Sequence, residues 1–181
     1  MKVVVGVTGA SGVPYAYALL QNLHADVDLV ISEDAKKVIA AETDLGVKAF
    51  EKLAAHTYAN DDTTAPPSSG SYRFDAMVVI PCSMGTLGKI AWGISDNLIT
   101  RAAAVCMKEK RRLILVPRET PLAATHLENM VRLANQGVVI LPAMPGFYHE
   151  PKTMDDLVNF VVGKVLDQLG LDHELFRRWG A

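Results

Sequence analysis

Short runs of apolar, often β-branched residues alternate along the chain with stretches of helical period. Lys2 to Val7, Val27 to Ile31, Asp75 to Ile80, Arg112 to Val116 and Val138 to Leu141 read as five strands. Their apolar residues run on without polar alternation, the pattern of strands covered on both faces. Helical spacing predicts a helix from about Pro14 to Leu23, with proline in its first turn, another over Glu33 to Glu42 and a short one around Lys48 to Leu53. Asp96 is the expected N-cap of a helix running through Lys110. Ala123, Leu127, Met130, Val131 and Ala134 fall on one face of a further helix. Met154, Leu157, Val158, Val161, Val162, Val165, Leu166 and Leu169 make a last apolar stripe. Strands alternating with helices on short loops predict a single α/β domain over residues 1–181: three layers around a mostly parallel sheet, flavodoxin-like or Rossmann-like. Residues 172–181 form a tail. The polar, turn-rich segment His56 to Tyr72 reads either as a surface loop or as an active-site lid or interface arm.

Composition narrows the function classes. The chain has 181 residues, of which 50% are hydrophobic, enough for one sizeable core. Its 18 basic and 20 acidic residues are interspersed. No like-charge run advertises nucleic acid or a membrane surface as a partner. Cys82 and Cys106 have no metal or redox spacing and read as small buried residues in a reducing compartment. The apolar start is too short for a signal peptide, and no apolar run approaches the ~20 residues of a membrane span. The expected location is the cytoplasm.

In open parallel sheets ligands bind at the carboxyl ends of the strands. Here those ends carry Thr8-Gly9-Ala10-Ser11, Ser32, Cys82 to Thr86, Arg118-Glu119 and Pro145 to Tyr148. The first turn resembles a phosphate cradle, with glycines for close backbone approach and a helix N-terminus offering N–H groups. Its Gly6-x-x-Gly9-x-x-Gly12 spacing is neither a dinucleotide fingerprint nor a Walker loop, so a tight strand-to-helix turn explains it equally well. Ser83 to Thr86 repeats the arrangement after the third strand, where its hydroxyls either serve a second phosphate or the polar edge of a ring or form an ordinary N-cap. Arg101 and Lys108 share a helix face. With Arg118 and Lys164 they are either separate solvated charges or a cluster for an anionic substrate. Glu119, beside Arg118, stands where a general acid or base is useful. His24, His56, His126, His149 and His173 form no ligand-spaced pair, and no catalytic metal is expected.

Taken in order, Val7-Thr-Gly-Ala-Ser-Gly12, Ile31-Ser32, Ala41 to Asp44, Pro81-Cys-Ser-Met-Gly-Thr86, Asp96 to Ala103, Lys108 to Arg111, Pro117-Arg-Glu119, Leu122 to Met130 and Pro142 to Tyr148 resemble the flavin prenyltransferase family of the UbiX type. The likeness extends to Arg178-Trp179-Gly180. It implies a metal-independent transfer of the dimethylallyl group of dimethylallyl monophosphate to N5 and C6 of reduced FMN. It also implies a homo-oligomer, usually a dodecamer. The product would pass to a UbiD-type decarboxylase, a task the family performs in ubiquinone biosynthesis. By resemblance, Gly9, Ala10, Ser11, Ser32, Ser83, Met84, Gly85, Thr86 and Arg118 match FMN-binding positions. Lys108, Arg118, Glu119, Tyr148 and Lys164 match the prenyl-phosphate site. Ser11 and Glu42 match positions near the reacting atoms, and Arg101 and Trp179 match positions contributed by adjacent subunits. Lys164 is often arginine in relatives, so a point charge replaces a fork there.

The residues accommodate this chemistry. Cations can stabilise a departing phosphate in a dry site without a metal, and the lack of an Asp-rich box argues against a diphosphate substrate. Among Trp92, Tyr148 and Trp179, Tyr148 is the candidate to steady an allylic cation. Two other functions stay open: an FMN-dependent cysteine decarboxylase of the same fold, disfavoured by the lack of histidine between Met1 and Gln21, and a non-catalytic flavin-binding module, which would need no converging cations.

Overall fold

A computed structural model describes residues 1–180. Six parallel strands are joined by seven helices: β1 (Lys2–Val7), α1 (Val13–Asn22), β2 (Asp26–Ile31), α2 (Glu33–Glu42), α3 (Val47–Glu51), β3 (His56–Ala59), β4 (Ala76–Cys82), α4 (Met84–Ala91), α5 (Leu98–Lys108), β5 (Arg112–Pro117), α6 (Ala124–Ala134), β6 (Val139–Ile140) and α7 (Met154–Leu169). The strand order is β3-β2-β1-β4-β5-β6, that of a doubly wound Rossmann sheet. Alternate residues of β1 face opposite layers. Val3, Val5 and Val7 pack with Leu19 of α1, Ile39 of α2 and Leu166 of α7. Val4 packs with Leu87 of α4 and Ile99 of α5. Both faces are therefore dry, which explains the unbroken apolar runs of the central strands.

Four sequence expectations change. The segment His56 to Tyr72 opens with a sixth strand, β3, paired along β2 at the sheet edge. Its residues are mostly exposed, so the apolar run that marks a covered strand is missing. Asn97, and not Asp96, caps α5 through its side chain, and that helix ends at Lys108. Asp96 is instead paired with Lys89 at 2.6 Å. Helix α4, which the sequence reading left unassigned, follows the Ser83 cap. On α6 the predicted apolar face is split: Leu127 and Val131 are exposed, while Met130 packs against the core beside buried Leu133.

The connection from β3 to β4 crosses the sheet face without a regular α-helix. Asn60 caps α5, accepting from Leu98 N through its carbonyl at 2.8 Å and from Ile99 N through Oδ1 at 3.2 Å. A 3-10 turn at Pro66–Ser68 packs on α5. Arg111 then holds the carbonyls of Gly70 and Tyr72 at 2.8 and 2.9 Å. Tyr72 reaches the sheet, where its hydroxyl donates to buried Asp28 at 2.8 Å and accepts from Lys2 Nζ at 2.8 Å. The middle of the segment thus covers α5. Cys82 and Cys106 are buried and free; burial pushes the Cys106 thiol up to about 12. Among the described residues no helix is long and apolar enough to cross a membrane.

Candidate functional site

The strand order reverses between β1 and β4, so the loops after these strands diverge and open a crevice. Thr8 pins the two strand ends together: its Oγ1 donates to the Pro81 carbonyl at 2.7 Å and accepts from Ser83 N at 2.8 Å. Gly9 then passes so close to α2 that a Cβ there would sit 2.5 Å from Asp34 Cβ. The first turn thus has a steric reason for its glycine.

Three helices aim their N-termini at this crevice. Ser32 caps α2, accepting from Ala35 N at 3.1 Å. Ser83 caps α4, accepting from Thr86 N at 3.3 Å and donating to Thr86 Oγ1 at 3.0 Å. Asn97 caps α5, accepting from Thr100 N at 3.1 Å. Between them lies a cavity of about 170 Å³ whose lining includes Ser32, Asn60, Ser83, Thr86, Lys89 and Asn97. Helix N-termini present positive dipole ends, and the hydroxyl of Ser32, which only accepts from its own helix, and that of Thr86, which accepts from Ser83, each keep a hydrogen to donate outward. The arrangement suits an anion. Lys89 adds a cation, partly spent on Asp96, whose carboxyl its hydrogen bond holds below the usual carboxylate range.

The turn into α1, for which a cradle and a tight turn are equally good readings of the sequence, carries a partner from elsewhere in the chain. Gly12, at φ 115°, offers no capping side chain. Glu42, from the end of α2, accepts from Gly12 N at 2.8 Å and from Val13 N at 3.2 Å. Two of the N–H groups that would greet a phosphate are therefore already paired. Arg118, at the end of β5, donates from Nε to the Ser11 carbonyl at 3.0 Å, leaving its two terminal nitrogens to face a ligand. Glu119 is exposed beside it and accepts from Thr120 N.

Ser11, Ser32, Ser83, Met84, Gly85, Thr86, Arg118 and Glu119 therefore gather at the carboxyl rim with Gly9 and Ala10, and Arg101 lies in the first turn of α5 on the same side. Lys108 and Lys164 do not join them within one chain. Lys108 ends α5, four residues before β5 begins, and pairs with Glu109. Six residues of β5 separate that end of the sheet from Arg118, about 20 Å. Lys164 is one turn before the end of α7, where the Gln168 carbonyl accepts from Arg112 at the start of β5. Tyr148 packs edge-on against Trp179 of the tail, ring centroids 5.4 Å apart. His24 does follow α1, but it is exposed in the turn into β2, at the end of the sheet away from the rim.

Sequence reasoning missed Asn60, Lys89 and Asn97. Asn60 follows the overlooked strand β3, and Lys89 sits in the overlooked helix α4. Asn97 lost the cap to its neighbour, although an asparagine before Leu98 is as strong a start signal as the aspartate. Among the described residues no three His, Cys, Asp or Glu side chains cluster as metal ligands.

Comparison with known proteins extends this picture. The family model described as Flavoprotein matches residues 1–166. The flavin prenyltransferase UbiX of Thermoplasma acidophilum is 56% identical over 180 residues, covering 99% of this chain and all of that one. Among solved structures, a dodecameric FMN-dependent UbiX-like decarboxylase from Escherichia coli O157:H7 superposes with a TM-score of 0.98 at 49% identity, over 100% of both chains. A UbiX protein in complex with FMN and dimethylallyl pyrophosphate superposes with a TM-score of 0.97 at 42% identity, over 99% of this chain and 97% of that one.

Proposed function

The chain belongs to the flavoprotein family, in its UbiX-type flavin prenyltransferase branch, and from that premise we propose that it joins the dimethylallyl group of dimethylallyl monophosphate to N5 and C6 of reduced FMN. The prenylated flavin is then handed to a UbiD-type decarboxylase. The observation that carries this reading is the meeting of three helix N-termini at the β1/β4 switch point, one loop away from Arg118 and Glu119.

The residues fit FMN. Its phosphate matches the cavity lined by Ser32, Ser83 and Thr86, where helix N-termini and the Ser32 and Thr86 hydroxyl hydrogens can donate while Ser83 holds Thr86 in place. Gly9, Ala10, Ser11, Met84 and Gly85 line the route from there toward Arg118, whose free nitrogens are suited to the polar edge of the ring. Reduced FMN, when bound, supplies the electron-rich atoms at which the new bonds form.

The chain's own side chains handle the prenyl phosphate. When the allylic C–O bond breaks, the phosphate leaves with the electron pair, and Lys108, Arg118, Arg101 and Lys164 stabilise that charge. The face of Tyr148, with Trp179 beside it, steadies positive charge on the allyl group. Ring closure adds a proton to the prenyl double bond and removes one from C6; Glu119 moves these protons, with the departed phosphate as the competing acid and base. Ser11 and Glu42 fix the loop nearest the reacting atoms. Because Lys108 and Lys164 stand at the far end of their own sheet, this reading makes the site composite: neighbouring subunits of a homo-oligomer, a dodecamer by its relatives, bring these cations to each rim.

The test is to incubate the protein anaerobically with reduced FMN and either dimethylallyl monophosphate or dimethylallyl pyrophosphate, then weigh the flavin. A gain of one prenyl unit with the monophosphate is expected. A gain with the pyrophosphate alone moves the substrate to the diphosphate found in the relative's complex, and an unchanged flavin in both arms overturns the reading.

A further inference from the structure

Resting on the prenyl-phosphate reading above, we propose that Asp167 is a positioning residue that seats the C-terminal tail on α7, so that Arg178 stands beside Lys164 as a second cation for the substrate's phosphate. Three independent features of the tail converge on this assignment.

The first is the seat. Gly163 lies in the interior of α7, where glycine is unfavourable. A Cβ at Gly163 would come within 2.5 Å of both His173 Cε1 and Phe176 Cε1. The tail packs into the space that the missing side chain leaves. Phe176 continues the contact onto Phe160, ring centroids 4.9 Å apart.

The second is the tie. The Asp167 carboxylate, 19% exposed, takes contacts from both α7 and the tail. Arg178 grips it with two nitrogens, Nη2 to Oδ1 at 2.8 Å and Nη1 to Oδ2 at 3.3 Å. His173 accepts from Leu175 N through Nδ1, so the hydrogen is assigned to Nε2, which donates to Oδ1 at 3.2 Å. Lys164 completes the set, 3.2 Å from Oδ2. Lys164 and Arg178 thus share one oxygen of a single carboxylate. Two carboxylates act on Arg178, Asp167 through hydrogen bonds and Asp172 through its charge, so what the spot keeps for a ligand is the unspent donors of Lys164 and Arg178.

The third is what adjoins that spot. A cavity of about 330 Å³ is lined by Tyr148, Arg177, Arg178, Trp179 and Gly180. It offers aromatic walls and guanidinium groups, the chemistry that suits an allylic phosphate monoester. Lys164 alone would present a point charge; Arg178, whose end-on fork is taken by Asp167, adds its Nε–H and its outer N–H hydrogens beside it.

The experiment uses the full-length assembled protein loaded with oxidised FMN, which binds substrate without turnover. Calorimetric titration with dimethylallyl monophosphate gives its Kd. Trypsin digestion followed by intact-mass measurement reports how fast the tail is cut after Arg177. For Gly163→Ala and Asp167→Asn the cut should accelerate and the Kd should rise, each by about tenfold or more, with FMN retained. Arg178→Ala, a surface change that leaves α7 intact, should weaken binding similarly, and Arg178→Lys should recover part of the loss. A freed tail with Kd within about twofold of wild type, or an Arg178→Ala protein that binds as well as wild type, overturns the assignment. So does a wild-type protein that binds no dimethylallyl monophosphate. Tail-dependent binding without any prenylated product would instead sink the transfer reading and leave this one standing.

Discussion

Glu42 closes the first turn of α1 from thirty residues further along the chain, its Oε2 accepting from Gly12 N at 2.8 Å. The carboxylate does two things there. It satisfies helix N–H groups that glycine cannot cap, and it sets negative charge against the positive end of the α1 dipole, beside Ser11. Glu42→Gln separates the two, because its amide oxygen can still accept while the charge is lost. The expected stability loss is about 1 kcal/mol or less, a few degrees in Tm by calorimetry. Product formation, measured by flavin mass, should fall about tenfold or more, since the proposed chemistry needs the charge near the reacting atoms. Normal turnover would reduce Glu42 to a cap.

Glu119 has no such structural task. It is exposed and bonds only its neighbour's N–H, at 3.0 Å. Glu119→Gln should therefore fold and bind FMN as the parent does, while single-turnover formation of prenylated flavin slows by about a hundredfold or more. If FMN binding falls with it, the residue belongs to the flavin site and not to proton transfer.

Ser83 serves fold and ligand together. Its hydroxyl caps α4 and keeps a role at the mouth of the anion cavity. Ser83→Ala should cost about 1 kcal/mol of stability through the lost cap. FMN affinity, followed by fluorescence quenching, should fall by about tenfold, because the Thr86 hydroxyl loses the partner that aims it at the phosphate. Riboflavin, which lacks the phosphate, should bind the variant and the parent alike; an equal loss for both ligands would move the phosphate elsewhere.

Much of this architecture was legible because the central strands are dry on both faces and their apolar runs stand out, and because the stripe from Met154 to Leu169 keeps an unbroken helical period. What was not legible has physical causes. Strand β3 lies at the sheet edge with polar, exposed residues, so nothing in its pattern separates it from a loop. The α6 stripe of Leu127 and Val131 marks an apolar face correctly, but periodicity does not say whether that face meets the core or another subunit. The rim residues could be read from strand ends. That Glu42 fills the first turn, and that Lys108 stands about 20 Å from Arg118, depends on helix direction and register.

The tail should respond to pH through Asp167. Burial alone would raise its carboxyl, but hydrogen bonds from Arg178 and Lys164 outweigh that and hold it below the usual carboxylate range. A lowered folded-state value means that the tie is fully present above the unfolded value, near 3.8, and is lost as pH falls through the lower folded one. In a Trp92→Phe background, Trp179 emission should stay flat from about pH 8 to pH 5 and change only below about pH 4. A transition well above that range would assign the latch to a group other than Asp167.

Subunit mixing tests the composite site directly. Lys108 and Arg118 lie at opposite ends of β5, so no side-chain motion within one chain brings them to the same phosphate. Lys108→Ala and Arg118→Ala should each abolish transfer in a uniform oligomer. When the two proteins are dissociated, mixed in equal amounts and reassembled, some sites pair an intact Lys108 from one subunit with an intact Arg118 from its neighbour. Random assembly makes about a quarter of the sites complete, so activity should return to about that fraction of wild type. A site built within one chain predicts no recovery, because every chain carries one lesion. Recovery therefore distinguishes the two arrangements without any knowledge of the interface.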